Sequence, residues 1–327
     1  MIEINVLILS AGRRVELIQC FKKAAHKLNI KSNIIAADCS DTAPALYFSD
    51  KSVKLPRIDD KNYINCIISV CNQENIALIV PTIDTDLLLL SENKEKIEEK
   101  SKAKVLISNP QVIRICRNKI WTQKFLEDNN FGVPKMYTDS ELENQDLNYP
   151  LFIKPKSGSS SINVFKVSNK NELELYRRII CEPIVQDYIE GEEYTVDVLV
   201  DFEGNVMTVV PRLRIATRGG EISKGKIIKD REIIDDVIRL IKTLKPIGHV
   251  TVQLMKTKEG IKYIEINPRF GGGAPMSIQS GADSCENIYR ILMGQELSYN
   301  ENYRENIIFL RFDSSICIDE NWKIVRW

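Results

Sequence analysis

Glu265, Asn267 and Arg269 stand two residues apart in the run Gly260–Gly273. Strand side chains repeat every second residue, so Tyr263, Glu265 and Asn267 are expected on one face. Upstream, Val250, Val252 and Leu254 alternate with Thr251 and Gln253. Lys258-Glu259-Gly260 fits a three-residue hairpin loop with glycine in the left-handed position. That register sets Gln253 opposite Glu265, with Asn267 one step along. Three oxygen-bearing side chains then converge, a set that suits Mg²⁺, which takes one or two protein carboxylates and fills its shell with water and phosphate oxygens. By spacing alone, an ordinary hairpin with one wet face fits as well. Asn267-Pro268-Arg269 followed by Gly271-Gly272-Gly273 shifts the balance, because proline stops the ladder and glycines let backbone N–H groups approach an anion. The implied object is a metal-bound polyphosphate.

Other charged residues fit that object. Lys154 ends an apolar strand and precedes Ser157–Ser161, whose small residues can cover phosphates with N–H and hydroxyl groups. Taken alone, that loop reads better as a surface hairpin. Arg212 and Arg214 share a strand face and Arg218 adjoins Gly219-Gly220. Arginine suits bidentate recognition of carboxylate or phosphate. Arg212 or Arg214 is expected near the phosphates and Arg218 near the substrate, the alternative being a solvated basic edge. Arg13 and Arg14 read as a solvated first helical turn, or as a grip on an anion. His249 is expected to be structural.

Alternating strands and helices must position these groups. Strands at Asn5–Leu9, Asn33–Ala37, Ala77–Pro81 and Val105–Ile107 alternate with helices at Val15–Leu28, Tyr63–Asn72 and Asp84–Lys100, the pattern of a doubly wound parallel sheet. Its ligand end falls near Gly12, Asp38 and Thr82–Asp86. Ser10-Ala11-Gly12-Arg13-Arg14 is not G-x-G-x-x-G, and no P-loop is present. A helix is expected over Gln111–Asn129, then a small unit to about Asp187, then an antiparallel unit ending in the metal hairpin. The division is 1–110, 111–190 and 191–327.

The chain has 327 residues, 43% of them hydrophobic, with 45 basic and 45 acidic side chains. Zero net charge argues against a nucleic-acid or anionic-membrane footprint. No apolar run is long enough to span a bilayer, and the start lacks a signal-peptide pattern, so a cytoplasmic location is expected. Eight cysteines form no C-x-x-C pair and only His26 and His249 could join them. They read as small core residues in a reducing compartment, not as a zinc site or a nucleophile.

Together these motifs closely resemble the ATP-grasp superfamily, and within it the carbamoyl-phosphate-synthase-like carboxylate–amine ligase branch. The resemblance covers nearly the whole chain. It implies a mixed α/β and α+β architecture, an ATP-grasp fold behind an N-terminal doubly wound parallel-sheet domain. It places the ATP-contacting lysines on Lys119 and Lys154, and the phosphate-covering loop on residues including Ser159 and Ser160. The backbone of Gln186, Asp187, Tyr188 and Ile189 would hold adenine and Glu193 the ribose. Gln253, Glu265 and Asn267 fall on the magnesium positions and Arg269 on the phosphate-stabilising arginine; Gly272 and Gly273 adjoin the substrate. Glutamine at 186 and 253 departs from many relatives' acidic residue, and an amide supplies the same acceptor. The expected cofactors are ATP and Mg²⁺, with Mn²⁺ as a substitute. The expected partners are a small carboxylate and an amine, with no nucleic acid and no membrane, and a homodimer is one option. The reaction implied is phosphorylation of the carboxylate to an acyl phosphate, followed by amine attack, giving ADP and phosphate. Phosphorylation of bicarbonate or carbamate, or nucleotide binding without turnover, are the alternatives.

Overall fold

In the computed structural model, which describes residues 2–143, 147–156 and 162–325, the run Asn5–Leu9 is strand β1, and every residue of it is buried. β2 (Ile34–Asp38), β3 (Lys51–Lys54), β4 (Ile76–Pro81) and β5 (Lys104–Val105) join it in a parallel sheet of order β3-β2-β1-β4-β5. Helices α1 (Val15–Lys27), α2 (Tyr63–Gln73), α3 (Asp84–Glu92) and α4 (Lys94–Ser101) build one core on each face. The helix expected over Asp84–Lys100 is therefore two, divided at Asn93, whose side-chain amide bonds the Leu89 carbonyl at 2.9 Å. Edge strand β3, KSVK, has no apolar run to announce it.

The helix expected over Gln111–Asn129 also divides, into α5 (Pro110–Arg117) and α6 (Lys119–Asp128). Asn118 between them is extended, and its side chain accepts from the amides of Ile120 and Trp121 at 3.0 and 3.2 Å. That cap satisfies two of the orphan donors of α6 and makes Lys119 its first residue. A small antiparallel sheet follows, β6 (Met136–Tyr137), β7 (Leu151–Pro155), β8 (Phe165–Val167) and β9 (Pro183–Asp187), ordered β6-β9-β7-β8. α7 (Asp139–Glu143) and α8 (Lys170–Ile179) give it a core through Leu142 and Leu173.

The third sheet is antiparallel and positions most of the charged residues. β10 (Glu192–Val200), β11 (Val206–Arg218), β12 (Glu221–Ile227), β13 (Gly248–Thr257), β14 (Gly260–Asn267) and β15 (Ile308–Leu310) run in the order β14-β13-β10-β11-β12-β15. Val196, Val198, Val250, Val252, Leu254 and Ile266 pack one face against the apolar stripe of α9 (Arg231–Leu244). Each such side chain contributes about 1.5–3 kcal/mol on full burial. α10 (Ala274–Ser280) and α11 (Ser284–Leu292) pack on α1, where the Phe21 ring meets Phe270 and Tyr289 edge-on at 6.1 and 5.9 Å. The first and third sheets thereby share one apolar core.

The metal hairpin keeps its expected register at Gln253–Glu265 and Thr251–Asn267. Its loop is shorter than expected. Thr257 pairs with Gly260, so Lys258 and Glu259 alone form the turn, and Gly260 opens β14 with φ +108°. A second correction concerns Tyr263. The register shifts so that Leu254 faces Tyr263 while Gln253 faces Glu265, which leaves Ile264 as an extra residue. Such a bulge reverses the alternation on one side of it. Tyr263 consequently points into the apolar core, its hydroxyl donating to Asp236 at 2.8 Å, and does not share the face of Glu265.

Candidate active site

On the polar face of the large sheet, Glu265, Gln253, Thr195 and Arg212 form one rung across β14, β13, β10 and β11. Asn267, Thr251 and Asp197 belong to the next. Arg212 reaches diagonally to Asp197, with Nε–Oδ2 at 2.7 Å and Nη2–Oδ1 at 3.1 Å, both side chains being almost wholly buried. Ser277 Oγ donates to the same carboxylate at 2.5 Å. Burial opposes ionisation of Asp197 most strongly, yet Arg212, together with its other partners including the Ser277 hydrogen bond, outweighs it and holds the carboxyl below its ordinary value. Arg214 lies along the same face: Nε is 3.0 Å from Glu193 Oε1, Nη1 donates to Thr195 Oγ1 at 3.2 Å, and Nη2 to the Gly220 carbonyl at 3.0 Å. Glu193 also accepts from the Gln253 side-chain amide, which leaves the Gln253 side-chain oxygen as the acceptor on the rung of Glu265.

Arg269 turns toward the N-terminal sheet. Its Nε and Nη2 donate to the two Asp84 carboxylate oxygens at 2.9 and 2.7 Å, and Nη2 lies 3.4 Å from Asn267 Oδ1. Asp84 starts α3, with Thr82 and Ile83 between it and the carboxyl end of β4. The fork-to-fork pairing fixes the guanidinium plane, as bidentate arginine–carboxylate pairs do.

A cleft of about 390 Å³ opens between this face and the ends of β1 and β4. Gln253, Glu265, Asn267, Arg269, Arg212, Arg214, Gly272 and Gly273 all line it, with Arg14, Thr82 and Asp84 from the N-terminal sheet. Lys119 adjoins it through a narrow recess shared with Arg117, Asp84, Glu265 and Asn267. Lys154, on β7, is buried. Burial, reinforced by the Lys119 charge and resisted by Glu265, pushes its amine down to about 8. Burial lowers Lys119 as well, against the pull of Glu265.

Several expected positions are not part of the lining of this cleft. Arg218 does not line the cleft; it is exposed at the end of β11, where Nη1 and Nη2 donate to Asp313 at 2.6 and 2.5 Å. Gly12 and Asp38 bond each other, amide to Oδ2 at 2.9 Å, outside the lining. The Gln186 side chain is spent on Gln123, at 3.0 Å. The Asp187 amide donates to the Lys135 carbonyl at 2.9 Å and its carboxylate accepts from Tyr137 at 2.7 Å. Tyr188 and Ile189 follow the end of β9, with Lys166 Nζ 4.1 Å from the Tyr188 ring centre. Ser159 and Ser160 lie outside the described residues. Arg14 departs from the solvated reading. Its side chain is 18% exposed, lines the cleft and faces Glu221 at 3.6 Å. His249 is buried and stacked on Phe270 with ring centres 4.1 Å apart; burial pushes it down to about 4, so the ring is neutral at pH 7.

Asp84 lies within the expected ligand end Thr82–Asp86, whereas Thr195, Asp197 and Glu221 were not singled out, since each takes its meaning from a partner on another strand or element. Only the strand period could have placed Thr195 and Asp197 on one face. Among the described residues no group of three or more His, Cys, Asp or Glu side chains gathers. One carboxylate with two amide oxygens is instead the kind of hard, sparse donor set that suits Mg²⁺ completed by phosphate oxygens.

Comparison with known proteins agrees with this geometry. Residues 6–106 match the family model for a PylC-like N-terminal domain, and residues 116–273 match that for an ATP-grasp domain. A D-alanine–D-alanine ligase B of Clostridium perfringens is 24% identical over 194 residues, 52% of this chain and 63% of that one. A tyramine–L-glutamate ligase of Methanocaldococcus jannaschii is 27% identical over 230 residues, 68% of this chain and 66% of that one. The matches thus span less than two thirds of either ligase's length. The crystal structure of a Campylobacter jejuni biotin carboxylase–β-γ-ATP complex superposes with a TM-score of 0.72 at 17% identity, covering 93% of this chain and 74% of that one. The two family models follow one another along the chain, and the superposed fold covers both. The chain belongs to the ATP-grasp superfamily.

Proposed function

We propose that this protein is an ATP-dependent ligase that joins a small carboxylate to an amine and releases ADP and phosphate. One observation carries the reading: Glu265, Asn267 and the Gln253 carbonyl face the same cleft as Arg269, beside Lys119, and no Ser-His-Asp or Cys-His arrangement accompanies them among the described residues. Glu265, Asn267 and Gln253 are the residues that would hold Mg²⁺, or Mn²⁺ in its place, and the ion would supply charge neutralisation to phosphate oxygens. Lys119 and Lys154 contact the phosphates of ATP. The backbone from Gln186 to Ile189 takes the adenine and Glu193 the ribose, between the units 111–190 and 191–327.

A carboxylate is a weak electrophile at neutral pH, so it must be activated before an amine attacks it. Transfer of a phosphoryl group to the carboxylate gives an acyl phosphate; the amine then displaces phosphate. Arg269, held in its plane by Asp84, stabilises charge on the transferring group, and preorganised cations of this kind act most strongly in a water-excluded site. Arg212 is spent on Asp197 and sets the shape of the floor; Arg214 joins Glu193 to the rung of Glu265.

An ADP-release screen of amino acids, hydroxy acids and bicarbonate, crossed with amines, tests the proposal. ADP and phosphate in equal amounts, matched by an amide product, support it. AMP with pyrophosphate would refute it, and ADP release with bicarbonate alone would move the chain to the carbamoyl-phosphate type of reaction.

A further inference from the structure

We propose that Arg117 is a further catalytic cation of this cleft, meeting the oxygens of the phosphoryl group that ATP gives up. The inference rests on the ligase reading above and adds a residue to the machinery of the same site.

Arg117 is the last residue of α5, whose buried side chains Val112, Ile113 and Cys116 fix the helix in place. Asn118 leaves the helix in an extended conformation, and α6 starts one residue later at Lys119. Arg117 and Lys119 thereby flank one corner of the chain, and both line the recess beside Asp84, Glu265 and Asn267. Arg117 also lines the main cleft, which Lys119 does not.

Among the described residues five arginines line that cleft, and four of them are matched with a carboxylate. Arg14 faces Glu221 at 3.6 Å, Arg212 faces Asp197 at 2.7 Å, Arg214 faces Glu193 at 3.0 Å and Arg269 faces Asp84 at 2.7 Å. Arg117 is exposed and has neither a hydrogen bond nor an ion pair with any described residue. Its guanidinium keeps every N–H donor of its planar fork. The recess has no carboxylate left for it, since Asp84 is taken by Arg269 and Glu265 is assigned to the metal ion. An incoming anion is the partner that remains.

The neighbours of Arg117 select which phosphate it meets. Glu265 and Asn267 are the proposed metal ligands, and Asp84 orients the arginine proposed to act on the transferring group. Lys154, by contrast, stands on β7 and is not among the recess residues. In the transfer, the bond from the γ-phosphorus to the bridging oxygen breaks and its electron pair stays on ADP. A bond from phosphorus to a carboxylate oxygen of the substrate forms, and no proton moves. Negative charge is spread over the non-bridging oxygens during that exchange. A guanidinium fork donates to two of them at once, which a lysine cannot do in a fixed plane.

The test titrates the full chain, with Mg²⁺, against ADP and against the non-transferable analogue β,γ-imido-ATP. Arg117→Gln weakens the analogue by about tenfold or more and ADP by less than about twofold, because only the analogue carries the third phosphate. Arg117→Lys keeps the charge, loses the fork and recovers part of that affinity. Since Arg117 is exposed and unpaired, both variants keep the urea unfolding midpoint of the parent. Equal losses for the two nucleotides would put Arg117 on the inner phosphates, and no loss for either would leave it a solvated helix end. Each of those results overturns the inference and spares the ligase reading. A parent protein that binds neither nucleotide would overturn the ligase reading and the inference together.

Discussion

The same strands, β10, β13 and β14, present two faces that could hardly differ more. Val196, Val198, Val250, Val252 and Leu254 are buried against α9 with no polar atom among their side chains. Thr195, Asp197, Thr251 and Gln253, which alternate with them, carry charge or hydrogen bonds. The apolar face needs only volume and shape. The polar face must neutralise each buried charge, and it does so in pairs: Asp197 with Arg212, Glu193 with Arg214, Asp84 with Arg269. Among the described residues Glu265 forms no ion pair with an arginine, and Lys119, Lys154 and Arg214 all sense its charge. The difference separates Asp197 and Arg212, a closed pair within the floor, from Glu265, which lines the cleft outside any such pair.

Removing one member of a floor pair is the severest way to break that distinction. Arg212→Met leaves Asp197 buried without its partner, which typically costs about 3–5 kcal/mol. Urea unfolding midpoints should fall accordingly, and the double variant Asp197→Leu/Arg212→Met should recover much of the loss. If the double variant were no more stable than the single one, Asp197 and Arg212 would not be acting as a pair.

Glu265→Gln probes the other class. It should leave the unfolding midpoint near that of the parent while ADP formation falls by about 100-fold or more, the usual scale for losing one preorganised electrostatic contact. A large loss of stability with little loss of turnover would put Glu265 in the floor.

The two faces were not equally legible from sequence. Period-2 alternation gave the Gln253–Glu265 register, because one face is apolar and a one-residue slip would bury its polar side chains. The bulge at Ile264 was not legible, and Tyr263 was misplaced with it, since an aromatic residue with a hydroxyl suits either face. β1 and β4 were legible as apolar runs, whereas the breaks at Asn93 and Asn118 were not, because asparagine is tolerated within helices as well as at caps. Arg218 was misjudged because a charge in a basic run gives no sign of a carboxylate 95 residues away.

Asp84→Asn lies between the two classes, since Asp84 is paired but its partner faces the cleft. The amide keeps the shape of the carboxylate and loses the charge and one acceptor. We expect kcat to fall about tenfold, one charge-assisted hydrogen bond being worth roughly 1.5–3 kcal/mol in full, with KM for ATP little changed. Asp84→Glu should recover part of it. A change confined to KM would show that Asp84 supports binding and does not orient Arg269.

The smallest effect is a dependence on pH, and it has opposite signs in two measurements. Lys154 titrates near 8 when folded, because burial disfavours its charged form, against about 10.4 in an unfolded chain. Between those values the unfolded chain binds more protons, so the nucleotide-free protein should gain stability as pH rises from 8 toward 10.4. Below 8 both states are protonated and the contribution is flat, with the cost of burying the charge fully present. Nucleotide affinity should run the other way, because phosphate oxygens favour the ammonium form. Above pH 8 the charged fraction falls about tenfold per unit, and ADP affinity should weaken toward that slope while binding takes up a proton. Lys154→Arg keeps the charge throughout and should flatten both profiles over pH 7.5–9.5, roughly the window that this shift opens. An ADP affinity that stays constant across that range in the parent protein would show that Lys154 does not meet the phosphates.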